Sequence, residues 1–304
     1  MQIFVVSGFL GAGKTTFIGT LAQKTGHELV IMENEYGETG IDGNLLQKDR
    51  LNIWELTEGC ICCSLKSDFA SSILTIANTL NPACLVVEPT GVGLLSAVMR
   101  NIGKITYERI RLLAPLTIVD AHSVDHYLRV FKDIYTDQIT FASRLLLTKT
   151  EHLPDREIKR IADTLRALNP EAEILTTPYQ HEPDAWWQRL LQQPHHEKAA
   201  PAYLAMPHEP DLENAGFTGI EIPSVQDLLE LLVALLRGYF GTVYRAKGYA
   251  SVGGCWTRFD VVDRQYSVTQ CAPMPEAKVI VIGRHLHKDA LAAAFHGQSL
   301  RAGN

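Results

Sequence analysis

Short apolar runs alternate with amphipathic stretches along residues 1–178 of the chain. A short apolar run bounded by turn residues is typical of a strand buried on both faces, whereas apolar residues at helical spacing indicate a helix that covers a sheet. The pattern predicts strands at 3–6, 29–32, 53–56, 85–87, 116–119, 145–147 and 174–176. It predicts helices at 14–24, 65–80 and 156–168.

The order of these elements predicts the fold class. Alternating strands and helices favour an α/β domain with a mostly parallel, doubly wound sheet, because a helix that follows each strand carries the chain back to start the next strand in the same direction. In such a domain, ligands bind beyond the carboxyl ends of the strands. Residues 1–178 are therefore expected to form a domain of this class.

The pattern changes after residue 178. Six of the 14 prolines and four of the 11 histidines lie within 178–210, which predicts a linker region at 179–215 with one helical piece at 184–191. Beyond it, the pattern predicts strands at 217–222, 243–245, 256–262, 266–270 and 278–282, and helices at 225–236 and 289–295. Residues 216–304 are therefore expected to form a small α+β domain.

Charge and hydropathy exclude some classes of protein. A formal net charge of -6 and a pI near 6.0 argue against nucleic acid as the main partner. The sequence contains no uninterrupted apolar run of about 18 residues, so no membrane association is expected. The apolar run at 3–6 lacks a basic leader, and we interpret it as a strand and not a signal peptide. A cytoplasmic protein is therefore expected.

The first predicted strand leads into SGFLGAGKTT at residues 7–16. This stretch matches the P-loop pattern G-x-x-x-x-G-K-[ST], whose glycines turn backbone N–H groups toward a phosphate at the start of a helix. Lys14 is expected to reach the β- and γ-phosphates and to act in catalysis, and Thr15 to bind Mg²⁺. The predicted nucleotide-binding residues of the motif are Gly8, Gly11, Ala12, Gly13, Lys14, Thr15 and Thr16. The alternative is a glycine-rich turn without a ligand, which has no need of Lys and Thr at these positions.

A second motif, VVEPTG at 86–91, is an apolar strand that ends in a carboxylate. Glu88 is expected to hold Mg²⁺ through water or to polarise the attacking water, and the Gly91 N–H to sense the γ-phosphate. The alternative is an ordinary turn after a strand. If the motif acts with the P-loop, Lys14 and Glu88 are the catalytic pair.

A third motif, LLLTKTE at 145–151, has the position of a base-recognition loop. Lys149 is expected to pack over the base. The Glu151 carboxylate is expected to accept hydrogen bonds from the N1–H and 2-amino groups of guanine. Thr148, Lys149 and Glu151 are therefore the predicted base-binding residues.

Three of the six cysteines, Cys60, Cys62 and Cys63, fall within four residues. Thiolates concentrated in one loop suit Zn²⁺ or Cu(I), and less obviously Co²⁺ or Ni²⁺, and three of them leave a tetrahedral ion with one open position. An oxygen of Glu35 or Glu38 in the preceding acidic stretch, a histidine, a water or a client protein are candidates for that position. Three buried thiols or a redox pair are the alternatives.

Other polar residues have plainer interpretations. Cys84, Cys255 and Cys271 lie in strand-like runs and are expected to be packing residues. His122 and His126 are spaced to share a helix face, although two such residues are usually solvated or capping.

Five motifs occur together: SGFLGAGKTT at 7–16, NEYGE at 34–38, GCICC at 59–63, EPTG at 88–91 and VDA at 119–121. This set strongly resembles the CobW-type P-loop GTPases, relatives of the nickel-insertion GTPases of hydrogenase and urease. RAKG at 245–248 and VIGR at 281–284 look like that family's C-terminal domain. The resemblance implies a P-loop NTPase fold and a GTP-hydrolysing metallochaperone or metal-homeostasis protein that binds Zn²⁺, Co²⁺ or a neighbouring divalent ion.

One motif departs from the family pattern. TKTE at 148–151 stands where the usual guanine motif is Asn-Lys-x-Asp. Thr148 cannot reproduce the Asn amide, and Glu151 is one methylene longer than Asp and must retract to make the same two bonds. GTP is still the expected nucleotide.

The residues thus predict a slow GTPase that uses Mg²⁺ and couples its nucleotide state to the binding of Zn²⁺, or alternatively Co²⁺ or Ni²⁺. The expected partners are GTP, the metal ion and a client metalloprotein, with a nucleotide- or metal-dependent homo-oligomer as a further option. Two alternatives stay open: a nucleotide-gated metal storage or regulatory protein, and a small-molecule P-loop kinase.

Overall fold

The computed structural model of the protein describes residues 1–27, 29–33, 51–55, 66–196, 213–262 and 265–296. These residues form two compact units, one made of the described residues up to 196 and one of those from 213 onward. None of the helices in the described ranges is long and apolar enough to cross a membrane.

A parallel sheet organises the first unit. Its strands are β1 (Gln2–Gly8), β2 (Leu29–Glu33), β3 (Leu51–Glu55), β4 (Cys84–Glu88), β5 (Arg111–Leu112), β6 (Leu116–Asp120), β7 (Arg144–Thr148) and β8 (Glu173–Leu175). They run in the order β3-β2-β4-β1-β6-β7-β8, with β5 paired to β1, and each of these pairs is parallel. Consecutive residues of β1, β4 and β6 are buried, so both faces of these strands are covered.

The helices of this unit follow the strands along the chain. They are α1 (Lys14–Thr25), α2 (Lys66–Thr79), α3 (Leu95–Gly103), α4 (Val124–Val130), α5 (Lys132–Thr140), α6 (Asp155–Leu168) and α7 (Asp184–Leu190). A 3-10 turn, Tyr179–His181, precedes α7.

Aromatic packing fixes α1 on the sheet. Phe17 of α1 stacks on Trp187 of α7 with ring centroids 5.5 Å apart, and both side chains are fully buried. They belong to one core cluster with Phe4 and Val6 of β1. Because α1 is held at its first turn in this way, the loop between β1 and α1 has both of its ends fixed.

The second unit is an antiparallel sheet with two helices. Its elements are β9 (Glu213–Thr218), β10 (Glu221–Ile222), α8 (Val225–Leu236), β11 (Thr242–Val252), β12 (Cys255–Val262), β13 (Gln265–Gln270), β14 (Lys278–Arg284) and α9 (Lys288–Phe295). The sheet order is β13-β12-β11-β14-β9, with β10 paired in parallel to β11. Ser224 caps α8 by accepting a hydrogen bond from the Asp227 N–H, and the buried Leu228, Leu232 and Leu235 of α8 share a core cluster with Ala246 and Ala250 of β11.

The predicted fold class is confirmed: a parallel α/β sheet with helices, followed by a smaller α+β unit. The predicted single strand at 217–222 is wrong, because Gly219 at φ 66° turns the chain between β9 and β10. The strand predicted at 243–245 is the start of the longer β11. The domain limits at 178 and 216 stay predictions.

Candidate functional site

The P-loop lies between β1 and α1, at the carboxyl edge of the sheet. Gly8 ends β1, and Gly13 stands at the N-cap of α1, so the loop delivers its backbone N–H groups to the start of a helix. Gly8 has φ 147°, and a Cβ there would lie 2.5 Å from the carbonyl oxygen of Ile118 on β6. Only glycine fits at this point, where two parallel strands and a loop come together.

Lys14 is the first residue of α1 and is buried, with 6% of its surface exposed. Its Nζ donates hydrogen bonds to the carbonyl oxygens of Gly8 at 3.1 Å and Phe9 at 3.4 Å, and lies 3.8 Å from Oε1 of Glu88. Strands β1 and β4 are neighbours, which explains how residues 74 positions apart along the chain meet. The two residues predicted to be catalytic are thus brought together.

The loop after β4 lies directly against the P-loop. A Cβ on Gly91 would lie 2.6 Å from the backbone nitrogen of Leu10, so the two backbones touch where no side chain has room. The Gly93 N–H donates to the Thr90 carbonyl at 2.8 Å, which closes a tight turn. Gly91 is therefore held beside the P-loop backbone, where its predicted role requires it.

The loop at 145–151, predicted to recognise the base, is tied to the P-loop by Thr148. Its hydroxyl donates to the carbonyl oxygen of Ala12 at 2.9 Å and to that of Val119 at 3.3 Å. Lys149 has a left-handed backbone at φ 59° and its Nζ lies 2.6 Å from Oδ2 of Asp120, at the end of β6. The sequence interpretation assigned no role to Asp120. The register pairs Asp120 with Thr148, which places it next to this loop.

A cavity of about 200 Å³ opens between these two loops. Its lining includes residues of both motifs, the last residue of the predicted first domain and the first two residues of the predicted linker: Ala12, Gly13, Thr16, Leu147, Thr148, Lys149, Thr150, Glu151, Pro178, Tyr179 and Gln180. Burial raises the pKa of Tyr179, a hydrogen bond with Thr20 opposes that rise, and the charge of Glu151 adds to it. The phenol therefore stays protonated near neutral pH. The composition of the linker gave no sign that Tyr179 belongs to a site.

Thr15 follows Lys14 in the first turn of α1 and is half-buried. A hydroxyl from Thr15 and a carboxylate from Glu88 are hard oxygen ligands of the kind that Mg²⁺ prefers. Glu88 lies beside the P-loop lysine. A carboxylate that binds Mg²⁺ together with a nucleotide phosphate must lie in this position. The residues present therefore fit Mg²⁺.

The predicted transition-metal ligands lie outside the described residues: Glu35, Glu38, Cys60, Cys62 and Cys63. The strands that lead into them are described. Glu33, the last residue of β2, is the register partner both of Glu55, the last residue of β3, and of Glu88. Three strand ends therefore stand side by side at one edge, about 4.8 Å apart from strand to strand. Within the residues that the structure describes, no group of three or more His, Cys, Asp and Glu side chains is placed to hold a metal ion.

Several of the plainer interpretations need correction. His122 precedes α4, which begins at Val124, so His122 and His126 do not share a helix face. Cys84 is buried as expected, but Cys255 is exposed because it stands beside the turn between β11 and β12.

Known proteins resemble this chain along both units. Residues 2–176 match the family described as CobW/HypB/UreG, nucleotide-binding domain, and residues 222–298 match the cobalamin synthesis protein cobW C-terminal domain. The zinc chaperone YjiA of Escherichia coli is 29% identical over 187 residues, which cover 59% of this chain and 58% of that protein. The zinc chaperone CobW of Pseudomonas aeruginosa is 23% identical over an alignment of 360 positions, which covers 96% of this chain and 90% of that protein.

Among solved structures, the Zn(II)-bound YjiA GTPase from E. coli aligns with a TM-score of 0.46 and 22% identity, over 98% of this chain and 99% of that one. The matches to the zinc chaperones YjiA and CobW of Sinorhizobium span only 58% and 53% of the lengths of those relatives.

Proposed function

The chain belongs to the CobW/HypB/UreG family of nucleotide-binding proteins, and we propose that it is a GTP-hydrolysing metallochaperone whose nucleotide state controls the binding of a divalent transition metal. The observation that carries the nucleotide half of this proposal is the contact between the P-loop and the loop after β4. Lys14 lies 3.8 Å from Glu88, and Gly91 lies against Leu10. The residues proposed to bind the phosphates and the residue proposed to detect the γ-phosphate therefore lie next to one another.

In this proposal the chain positions GTP and hydrolyses it slowly. The P-loop N–H groups and Lys14 bind the phosphates, and Glu88 orients the attacking water or a water on the metal. Thr15 and Glu88 would hold Mg²⁺, which would neutralise the charge that develops during phosphoryl transfer. Thr148, Lys149 and Glu151 bind the guanine base in the cavity beside Ala12.

The metal half of the proposal rests on the strand ends. Residues 34–50 follow Glu33 and residues 56–65 follow Glu55, and these two glutamates are register partners next to Glu88. Because their preceding strands end beside the loop after β4, we propose that these two segments respond to whether GTP or GDP is bound. We propose that Cys60, Cys62 and Cys63, with Glu35 or Glu38, bind Zn²⁺ as the transported ion, with Co²⁺ or Ni²⁺ as the alternatives. Relatives named zinc chaperones favour zinc.

The test is a Zn²⁺ competition titration of the protein loaded with GDP and then with a non-hydrolysable GTP analogue. Coupling between the sites predicts Zn²⁺ affinities that differ by about fivefold or more between the two states. Cys62→Ala should remove stoichiometric Zn²⁺ binding and leave nucleotide binding intact. Cys255→Ala, which changes an exposed cysteine of the second unit, is the matched control. Identical Zn²⁺ affinities in the two nucleotide states would refute the coupling.

Delivery of the metal to a client metalloprotein is a separate part of the proposal. Zn²⁺ transfer from the loaded protein to an apo-metalloenzyme, followed by the activity that the enzyme recovers, distinguishes a chaperone from a storage protein. A chaperone should transfer zinc faster than zinc would dissociate into solution and be taken up by the apo-enzyme. The transfer should also be faster in one nucleotide state than in the other. Tight binding without transfer to any acceptor would favour storage.

A further inference from the structure

A buried side chain of α5 holds the loop after β4 in place. Gln138 is fully buried, and its Nε2 donates hydrogen bonds to the carbonyl oxygens of Gly91 at 3.0 Å and Gly93 at 2.9 Å. A side-chain amide has two N–H hydrogens, and each of them meets one of these carbonyls. Gln138 is separated from Gly91 by 47 residues along the chain, so only the folded structure brings them together.

The preceding residue of α5 fixes the other end of the same loop. Oδ2 of Asp137 accepts a hydrogen bond from the backbone N–H of Ser96 at 3.0 Å, in the first turn of α3. Two consecutive residues of one helix therefore hold the loop where it leaves β4 and where it enters α3. Since the Gly93 N–H also bonds to Thr90, the backbone between these points has little freedom.

The same part of the fold supports the P-loop. Phe9, in the P-loop, packs against Tyr127 of α4, Phe131 between α4 and α5, and Tyr135 of α5, with ring centroids 4.2, 4.7 and 5.9 Å apart. Gly91 in turn lies against Leu10, the next residue of the P-loop. Side chains in and beside α5 therefore contact both the loop after β4 and the P-loop against which it lies.

We propose that Gln138 is a positioning residue that aims Gly91 at the γ-phosphate and thereby sets how strongly the protein discriminates GTP from GDP. This inference rests on the proposed GTPase function. GDP has no γ-phosphate, so its affinity depends on the P-loop and the base loop and not on Gly91. Release of the two carbonyls lets Gly91 move away from the phosphate, which weakens triphosphate binding and slows hydrolysis together.

The test compares Gln138→Met with the unaltered protein. Methionine keeps the length and approximate volume of the side chain but leaves the Gly91 and Gly93 carbonyls without these donors. We expect about tenfold weaker binding of a non-hydrolysable GTP analogue and about tenfold lower kcat, the effect of one or two lost buried hydrogen bonds, with GDP affinity changed less than about twofold. Gln138→Glu keeps the shape and is a second variant; its protonated carboxyl has one donor, so its defect should become smaller as the pH falls.

Asn169→Leu is the matched control. Asn169 is another buried amide, and its Nδ2 lies within hydrogen-bond distance of the carbonyl oxygens of Ile139 at 2.8 Å, Thr140 at 3.0 Å and Ala142 at 2.9 Å, where α5 ends. Its loss should lower thermal stability without changing the ratio of triphosphate to diphosphate affinity.

Two outcomes would count against the inference in different ways. A working GTPase in which Gln138→Met weakens GTP analogue and GDP equally, or shifts their ratio no more than Asn169→Leu does, overturns the role of Gln138 alone. An unaltered protein that neither binds the analogue nor hydrolyses GTP overturns the proposed function and this inference with it.

Discussion

The hydroxyl of Thr148 donates a hydrogen bond to the carbonyl oxygen of Ala12 at 2.9 Å and so joins the base-recognition loop to the P-loop. Removal of this hydroxyl in Thr148→Val should weaken GDP and GTP binding alike, by about three- to tenfold, because a partly buried carbonyl loses its donor. Isothermal titration of both nucleotides measures the change.

Thr164→Val is the control for Thr148. The Thr164 hydroxyl donates to the Arg160 carbonyl on the exposed side of α6, at 3.0 Å. The same chemical change there should leave nucleotide affinity as it was. Unchanged affinity in Thr148→Val would mean that the bond to Ala12 does not shape the nucleotide site.

Lys14→Ala should lower kcat for GTP hydrolysis by about 100-fold or more, since a buried cation that faces developing phosphate charge is lost. The fold should persist, because the aromatic packing of Phe17 on Trp187 still fixes α1. Lys24→Ala, in the last turn of the same helix, is the control and should keep full activity. Phosphate release under steady-state conditions gives kcat for each variant.

Gly91→Ala should impair GTP hydrolysis and destabilise the first unit by about 1–3 kcal/mol, because its Cβ would overlap the Leu10 backbone. Gly19→Ala gives the opposite result. A Cβ at Gly19, within α1, would meet no atom within 4 Å, so the substitution should stabilise the protein by about 0.5–1 kcal/mol without affecting hydrolysis. Urea unfolding and GTPase assays of the two variants test the pair, and similar behaviour of both would argue against the close contact at Gly91.

Glu151→Gln should reduce guanine selectivity, because one of its carboxylate acceptors becomes an amide donor. We expect GDP affinity to fall by about tenfold while ADP affinity changes little. Glu108→Gln, on an exposed turn, controls for the loss of charge. Equal GDP and ADP affinities in the unaltered protein would remove the guanine assignment at this position.

The buried Cys84 thiol should make the free energy of unfolding depend on pH. Burial raises its pKa to about 12, against an ordinary value of 9.0. The folded pKa lies above the unfolded one, so this group's contribution to stability is fully present below about pH 9 and is lost as the pH rises toward 12. At pH 10 the loss should reach about 1 kcal/mol, and urea titrations of Cys84→Ala should show a flatter pH profile than the unaltered protein above pH 9.

Sequence patterns predicted the helices and strands that are specified by their own residues. The apolar run of β1, the glycines before Lys14 and the periodicity of α8 each specify their element without help from distant residues. The break at Gly219 was missed because glycine inside an apolar run fits a strand as well as a turn.

The supporting contacts of the site were beyond the reach of sequence patterns. Gln138 reads as an ordinary polar residue of a helix, and Tyr179 as part of a linker. Their roles follow from which strands are neighbours, since that order brings α5 and the segment after β8 to the edge where the P-loop lies. The one clear hint was the departure from the family pattern at Thr148, where the structure provides a hydroxyl contact with Ala12 in place of an amide.

The register of β3, β2 and β4 fixes the strand ends from which residues 34–50 and 56–65 continue, so these two stretches can be exchanged without altering the strands. Residues 34–50 are bounded on both sides by neighbouring parallel strands whose pairing is fixed from Leu29 and Leu51 to Glu33 and Glu55. The residues proposed to bind phosphate lie in or beside β1, β4 and α1, none of which lies within residues 34–50 or 56–65. Under the proposed function, grafting these two stretches from relatives with other metal preferences should therefore change which metal ion binds while β1, β4 and α1 keep their structure.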